Sequence, residues 1–233
     1  DLDFERSIHH IFNYEWKNKE HFLRLETYNK KYNNLINLYP YENCDVDNDI
    51  CYNFLSNDGT GYSKGFEAFW RYNKGSEDNE SMDIWIAYSY LDSKRTFKNF
   101  YPNEIIPSFS TKHKLTFSYN TTYYIKDSKN RLSPSIAMTF TSGFPYYDPY
   151  NNVQYESKPY ASVDIGLTYL PDMDNGFLVV FFDLSNPFGY RNSYGYEFTD
   201  YDYSQLEKPK EKLPESLRTV FIGCFMYFSV DKN

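Results

Sequence analysis

Ser162-Val163-Asp164-Ile165-Gly166-Leu167-Thr168-Tyr169 alternates small or polar residues with apolar ones. The same beat returns at Val180, Phe182 and Leu184, which frame Asp183, and again at Val220, Ile222, Cys224, Met226, Phe228 and Val230. A side-chain period of two is that of a β-strand, and it sets each apolar group on one face of a sheet. The other face is mixed and partly charged. Two architectures satisfy such an apolar face. A soluble sandwich packs it against a second sheet, whereas a membrane barrel turns it to lipid and fills its interior with polar groups. The lengths of the connections decide between them.

Working outward from that segment, the alternation marks nine strands, over residues 6–17, 21–33, 60–73, 82–97, 112–125, 131–142, 158–170, 177–185 and 218–232. In the second, Leu23, Leu25 and Thr27 oppose Arg24, Glu26 and Tyr28. In the third, Phe66, Ala68 and Trp70 oppose Glu67 and Arg71. In the fourth, Ile84, Ile86, Tyr88 and Tyr90 oppose Asp83, Trp85, Ala87 and Ser89. Pro134 marks a bulge or a later start in the sixth, because proline cannot donate to a ladder. The connections alternate. They are tight at 18–19, 74–81, 126–130 and 171–176, and long at 34–59, 98–111, 143–157 and 186–217. In a meander, all the short connections then lie at one end and all the long ones at the other. Short periplasmic turns opposite long outer loops mark an outer-membrane barrel; the Greek-key crossings of a sandwich would not sort this way. The strands also exceed the roughly 5 to 6 residues usual in soluble sheets and suit a tilted bilayer crossing. The expected fold is all-β, an antiparallel meander of about nine long strands. Bacterial single-chain barrels have an even strand number and both termini in the periplasm. Nine strands therefore read as an arc of a larger transmembrane β-barrel, with long loops extracellular and the C-terminus periplasmic.

Composition agrees. Aromatic residues make up 21% of the chain, with 26 Tyr and 20 Phe, well above an ordinary soluble domain and suited to interfacial girdles. The mean hydropathy of -0.72 is no argument against a barrel, since alternating strands and polar loops average it away. The longest apolar run, 177–182, is strand-sized, so no transmembrane helix is expected. Asp1-Leu2-Asp3 lacks the basic and apolar regions of a secretory leader. A net charge of -8 and a pI near 5.1 argue against nucleic acid as a partner.

Three groups of residues are candidates for function. Glu15, Arg24, Glu26, Glu67, Arg71, Asp83, Asp164 and Asp183 are charged members of the polar face and should be lumen-facing. They either solvate and salt-bridge the inner wall or line a path. Tyr101, Tyr146, Tyr147, Asp148, Tyr190, Tyr194, Tyr196 and Tyr201 crowd the outer loops, with Tyr155 beside them. Such rings bind a ligand by stacking while Asp supplies hydrogen bonds, or else they pack the loops together or meet a protein partner. Cys44 and Cys51 share a polar loop at a spacing that suits a clasping disulfide in an oxidising compartment; the alternative is two unrelated thiols. Between them Asp45, Asp47 and Asp49 alternate and offer oxygens to calcium. Ile50, however, stands where an EF-hand needs Gly, and Ser56 where it needs Glu, so no metal site is assigned. Cys224 is left in a strand as a small apolar residue facing lipid. His9 and His10 are adjacent, so a strand points them to opposite faces and they make a poor metal pair. There is no phosphate loop, nucleophile motif or zinc spacing, so neither a cofactor nor an enzyme activity is expected.

A resemblance rests on phrases in order: Phe12-Asn13-Tyr14-Glu15-Trp16, Gly61-Tyr62-Ser63-Lys64-Gly65-Phe66-Glu67, Tyr88-Ser89-Tyr90-Leu91-Asp92-Ser93-Lys94-Arg95, Pro107-Ser108-Phe109, Ser142-Gly143-Phe144-Pro145-Tyr146-Tyr147-Asp148-Pro149, Leu184-Ser185-Asn186-Pro187-Phe188-Gly189 and Arg218-Thr219-Val220-Phe221-Ile222-Gly223. Across nearly the whole chain these resemble the C-terminal barrel half of TonB-dependent outer-membrane receptors, Bacteroidetes type. The resemblance implies that 1–233 is the C-terminal part of a receptor β-barrel of about 22 strands, with the plug and N-terminal strands outside this sequence. It implies outer-membrane transport, in which outer loops capture a scarce ligand that then passes through a plug-gated lumen. The implied partners are outer-membrane lipid, the N-terminal strands and plug of the same receptor, TonB through that plug, and other outer-membrane subunits such as a surface lipoprotein. A second expectation is a receptor-like barrel serving as a structural or adaptor subunit of an outer-membrane complex, its tyrosine-rich loops acting as protein interfaces. The end departs from the common terminal Phe of the family: Phe228 is the nearest, with 229–233 beyond it.

Overall fold

The structure is a computed structural model that describes residues 2–39, 54–75, 80–97, 104–125, 128–148, 153–174, 176–197 and 210–228. Its strands are β1 (Arg6–Lys17), β2 (His21–Tyr39), β3 (Phe54–Lys74), β4 (Glu80–Thr96), β5 (Glu104–Ile105), β6 (His113–Tyr124), β7 (Arg131–Thr141), β8 (Pro145–Asp148), β9 (Val153–Glu156), β10 (Tyr160–Leu170), β11 (Gly176–Ser185), β12 (Tyr196–Glu197), β13 (Lys210–Glu211) and β14 (Thr219–Phe228). No helix occurs among the described residues. The nine long strands form one sheet in the order β1-β2-β3-β4-β6-β7-β10-β11-β14, every pair antiparallel, with β5 attached to β4. β8–β9 and β12–β13 are separate two-stranded hairpins. The nine-strand meander expected from the alternation is what forms.

Register explains why the sheet has two unlike faces. One row runs Tyr72–Ile84–Tyr119–Ile136–Ile165–Leu184–Val220 across seven strands. Another runs Trp16–Leu23–Trp70–Ile86–Phe117–Met138–Val163. Between adjacent rows of this kind lies a polar one, Glu15–Arg24–Phe69–Ala87–Thr116–Thr139–Ser162, whose side chains point the other way. Nothing covers the apolar rows: Met138 is 45% exposed, Phe140 44% and Ile86 38%. Among the described residues Phe97 is the buried hydrophobic side chain, so the sheet has no core of its own on either face. An apolar band of this extent, left bare, marks a surface that meets an apolar partner.

The connections sort as expected. The short ones, 18–20, 75–79, 125–130 and 171–175, lie at one end, and 40–53, 97–112, 142–159 and 186–218 at the other. Two features go beyond the sequence reading. β2 and β3 run far into the region read as loop, pairing through Tyr39↔Phe54. The alternation was interrupted there by bulges between Asn33 and Asn37, where Asn34 adopts a left-handed conformation (φ 57). The stretch 143–157 is not plain loop but carries the β8–β9 hairpin. The hairpin closes against the end of β7, where a Cβ on Gly143 would sit 1.9 Å from the Ser157 carbonyl oxygen, so the close backbone approach requires glycine. Pro134 lies inside β7, opposite Leu167. β1 and β14 each leave one ladder edge unpaired among the described residues.

Candidate functional site: inner wall and outer loops

The eight charged residues singled out for the lumen share one sheet face, opposite the apolar band. Glu15 lies across from Arg24, Glu26 across from Glu67, and Gly166 across from Asp183. Arg71 donates from Nε and Nη2 to the two carboxylate oxygens of Asp83, each at 2.7 Å, a bidentate pair that stays half exposed. Asn13 reaches Glu26 at 3.5 Å. Arg24 and Glu67 line a shallow cavity of about 240 Å³ with Phe69, Ser89, Lys114 and Thr116. Asp164 accepts from Ser162 Oγ at 3.2 Å and, at closer range, from Ser185 Oγ.

Along the sheet, this face changes character. β1 to β4 carry most of the charge. β6, β7 and β10 present Thr116, Ser118, Asn120, Ser135, Thr139 and Thr168, short side chains with hydroxyls or amides. Thr122 Oγ1 and Ser133 Oγ are hydrogen-bonded at 2.9 Å. At β11 and β14 the same face is aromatic. Phe181 stacks on Phe221 with centroids 5.5 Å apart, and Phe177 meets Phe225 edge-on at 6.2 Å. The apolar run 177–182 therefore covers both faces of β11, a feature that a single alternating set does not express.

At the long-connection end the loops are tied to each other. Gln154 on β9 accepts from Ile106 N–H (2.7 Å) and donates back to its carbonyl (2.6 Å). Asn192 does the same with Ala161, at 2.9 and 2.8 Å. Asn186 (φ 50) accepts from Tyr190 N–H and donates to the carbonyls of Tyr190 and Leu217. The β8–β9 and β12–β13 hairpins meet through a ring stack, Tyr146 on Tyr196 at 4.2 Å, with Tyr155 at 5.8 Å from Tyr146. Burial, then the neighbouring Tyr196 and Asp148, pushes the Tyr146 phenol above its ordinary range. Lys158 holds Glu211 at 2.9–3.0 Å, and that hydrogen bond draws the carboxyl below its ordinary range.

Tyr146 and Tyr196 are thus brought into contact and cover each other's faces. Tyr147 and Asp148 follow on β8, Asp148 being buried. Tyr190 donates to the Pro159 carbonyl at 3.3 Å, and Tyr194 is 63% exposed. Tyr101, Tyr201, Cys44, Cys51, Asp45, Asp47 and Asp49 lie outside the described residues. Cys224 sits opposite Val180 on the apolar face, exposed. A cavity of about 330 Å³ opens between the end of β4 and the β8–β9 hairpin, lined by Lys94, Ile106, Lys112, Tyr155 and Glu156 among others. Lys94, Lys112 and Glu156 were not foreseen there. No local signal places them together, because the hairpin that joins them was read as loop.

Comparison with known proteins adds one family. The model described as TonB dependent receptor-like, beta-barrel matches residues 1–186, which take in β1 to β11. No curated protein matches, and no solved structure matches. A match over that span, on a meander whose apolar face is left bare, shows that the chain belongs to the TonB-dependent receptor β-barrel family.

Proposed function

We propose that this chain supplies the C-terminal arc of an outer-membrane uptake barrel, with outer loops that take a ligand and a plug-gated lumen that passes it inward. The family is one of outer-membrane transporters rather than enzymes. The observation that carries the finer reading is the sorting of the connections. Every short one lies at the end where β14 finishes at Phe228, and every long one at the other. This supports long loops outside and the β14 end in the periplasm. The charged residues of β1 to β4 and the hydroxyl wall of β6, β7 and β10 then face the lumen, TonB acts through the plug, and the apolar rows meet lipid.

Orientation is tested in intact cells with a membrane-impermeant maleimide. In a background with Cys44, Cys51 and Cys224 changed to Ser, Tyr194→Cys, in a long connection, should label, and Ser128→Cys, in a short turn, should label only after the outer membrane is broken. Equal labelling of both, or the reverse order, overturns the orientation.

One observation favours a second reading, an adaptor subunit that docks outer-membrane partners such as a surface lipoprotein. Phe109 and Phe188 are 71% and 77% exposed in the long connections, while Tyr146 and Tyr196 are occupied with each other. Stable co-purification with another outer-membrane protein that is lost in Phe109→Ser/Phe188→Ser supports this role. Ligand uptake undiminished by the same pair separates the two.

A further inference from the structure

The ladder along β4 is broken on one side. β4 pairs with β6 as far as Tyr90↔His113, and with β5 from Arg95↔Ile105. Between these two pairings the chain 106–112 bows away from the strand instead of extending it. Pro107 comes next in the β5 register, opposite Ser93, but it has no N–H to give. The cavity of about 330 Å³ at the end of β4 is the space this leaves, with the β8–β9 hairpin as a further wall.

Several polar groups around it are occupied. Lys94 pairs with Glu104 and Asp92 with Lys64, and the Gln154 amide spends both its bonds on the Ile106 backbone. Two charged side chains are left over, Lys112 and Glu156. Both are exposed, and among the described residues neither has an ion partner. Gly143 stands between them. The β6–β7 register, carried on from Lys114↔Thr141 through the Ser142 N–H bond to the His113 carbonyl, sets Lys112 opposite Gly143. On the other side Glu156 Cγ lies 2.8 Å from where a Gly143 Cβ would stand, so the stem of the carboxylate crosses the glycine. At a strand spacing of about 4.8 Å, Lys112 and Glu156 root about 10 Å apart across a floor with no side chain. Ile106, Pro145 and Tyr155 supply apolar surface beside them. A free cation and a free anion held apart in one small cavity suit a ligand that carries both charges.

We propose that this cavity binds a zwitterionic peptide of dipeptide size, with Lys112 on its terminal carboxylate, Glu156 on its terminal ammonium, and its side chains against Ile106, Pro145 and Tyr155. The inference rests on the reading of the long connections as ligand-taking loops and gives that ligand a class. Length selects a dipeptide over a free amino acid. Two extended residues span about 7 Å and so bridge walls rooted about 10 Å apart, whereas an amino acid carries both charges on one carbon. Volume agrees, since the cavity lies at the low end for ligand pockets. Capture of both terminal charges discriminates against the same peptide with its ends blocked.

The test uses the full-length protein in a neutral detergent, with binding read by isothermal titration calorimetry. The probes are the leucyl-leucine dipeptide, its C-terminal amide, its N-acetyl form and free leucine. The dipeptide should bind more tightly than free leucine, and blocking either end should weaken it by about fivefold. Lys112→Gln should weaken the dipeptide as much as the amide cap does, and should leave the affinity for the amide unchanged. Glu156→Gln should stand in the same relation to the N-acetyl form. Both variants alter exposed side chains, so the fold should survive them. Lys129→Gln, in a short turn at the opposite end, should change nothing. The proposal is overturned if the blocked peptides bind as well as the dipeptide, if either binding variant weakens all four probes alike, or if free leucine binds as tightly. Absence of binding by every probe, while Tyr194→Cys labels from outside, overturns the site and leaves the uptake reading standing. If Ser128→Cys labels in intact cells instead, the cavity opens to the periplasm and the uptake reading falls with it.

Discussion

β1 to β4 and the pair β11–β14 solve the same problem differently. In the first region one face is apolar and the other carries charge around a few rings: Ile84, Ile86 and Tyr88 lie on one side of β4, and Asp83, Ala87 and Ser89 on the other, with Trp85 packed on Phe69 among them. In the second both faces are apolar. Val180, Phe182 and Leu184 lie on the face of the apolar rows, and Phe177, Val179 and Phe181 on the opposite face, which they share with Phe221 and Phe225 of β14. A strand that alternates expects lipid on one side and water on the other, whereas a strand apolar on both sides expects to be covered on both. The face opposite the apolar rows is therefore not one uniform surface. It runs from charged, with Phe22, Phe69 and Trp85 packed among the charges, through hydroxyl-lined, to aromatic.

Paired lysine substitutions on opposite faces sharpen that contrast most. Ile86→Lys should cost about 2–4 kcal/mol of stability in bilayers, and Ala87→Lys, one residue on, close to nothing, because only the first puts charge in hydrocarbon. On β11 both Phe182→Lys and Phe181→Lys should destabilise. Urea titration of the barrel reconstituted in vesicles reads all four, and a neutral Phe181→Lys would show that the inner aromatic wall is bare to water. Next in size is Gly143→Ala. A methyl group at that site meets a backbone carbonyl that cannot turn aside, so the β8–β9 hairpin should shift at a cost of about 1–3 kcal/mol, read as new protease sensitivity in 142–159. Smaller still is Arg71→Gln, which breaks the bidentate contact with Asp83. Both partners are half exposed, so the loss should be about 0.2–1 kcal/mol and should fade in high salt. Smallest is acid. The Glu211 carboxyl is held below its ordinary range, so the Lys158 clasp contributes fully above the ordinary carboxylate pKa and is lost as pH falls through the lowered one. Hydrogen exchange at the Tyr194 and Lys212 amides should quicken in that window, and an unchanged rate would show that the Tyr146–Tyr196 stack alone holds the hairpins.

The sheet was legible because its signal is local: a period of two sustained along each strand, with turns between, fixes face and order together. That is why all eight charged residues fell on one face and Cys224 on the other. The failures were non-local. Asn33-Asn34 reads as the end of a strand, yet a bulge at that site lets β2 and β3 continue to Tyr39 and Phe54. Nothing near Tyr146 announces that Tyr196, fifty residues on, will stack on it. The loop tyrosines were legible as a crowd but not as partners. The aromatic rows on the second face of β11 were hidden in a continuous apolar run, which shows that a strand is buried without showing what lies on each side.

The two open ladder edges set a condition on how this sheet can sit in a bilayer. Along β1 and β14, alternate backbone N–H and C=O groups face outward with no partner among the described residues. Water satisfies them, but in hydrocarbon each unpaired group costs several kcal/mol. Where the apolar rows meet hydrocarbon, each rim therefore needs a further strand against it, and a substitution that weakens such pairing should show itself as failure to insert rather than as failure to form strands.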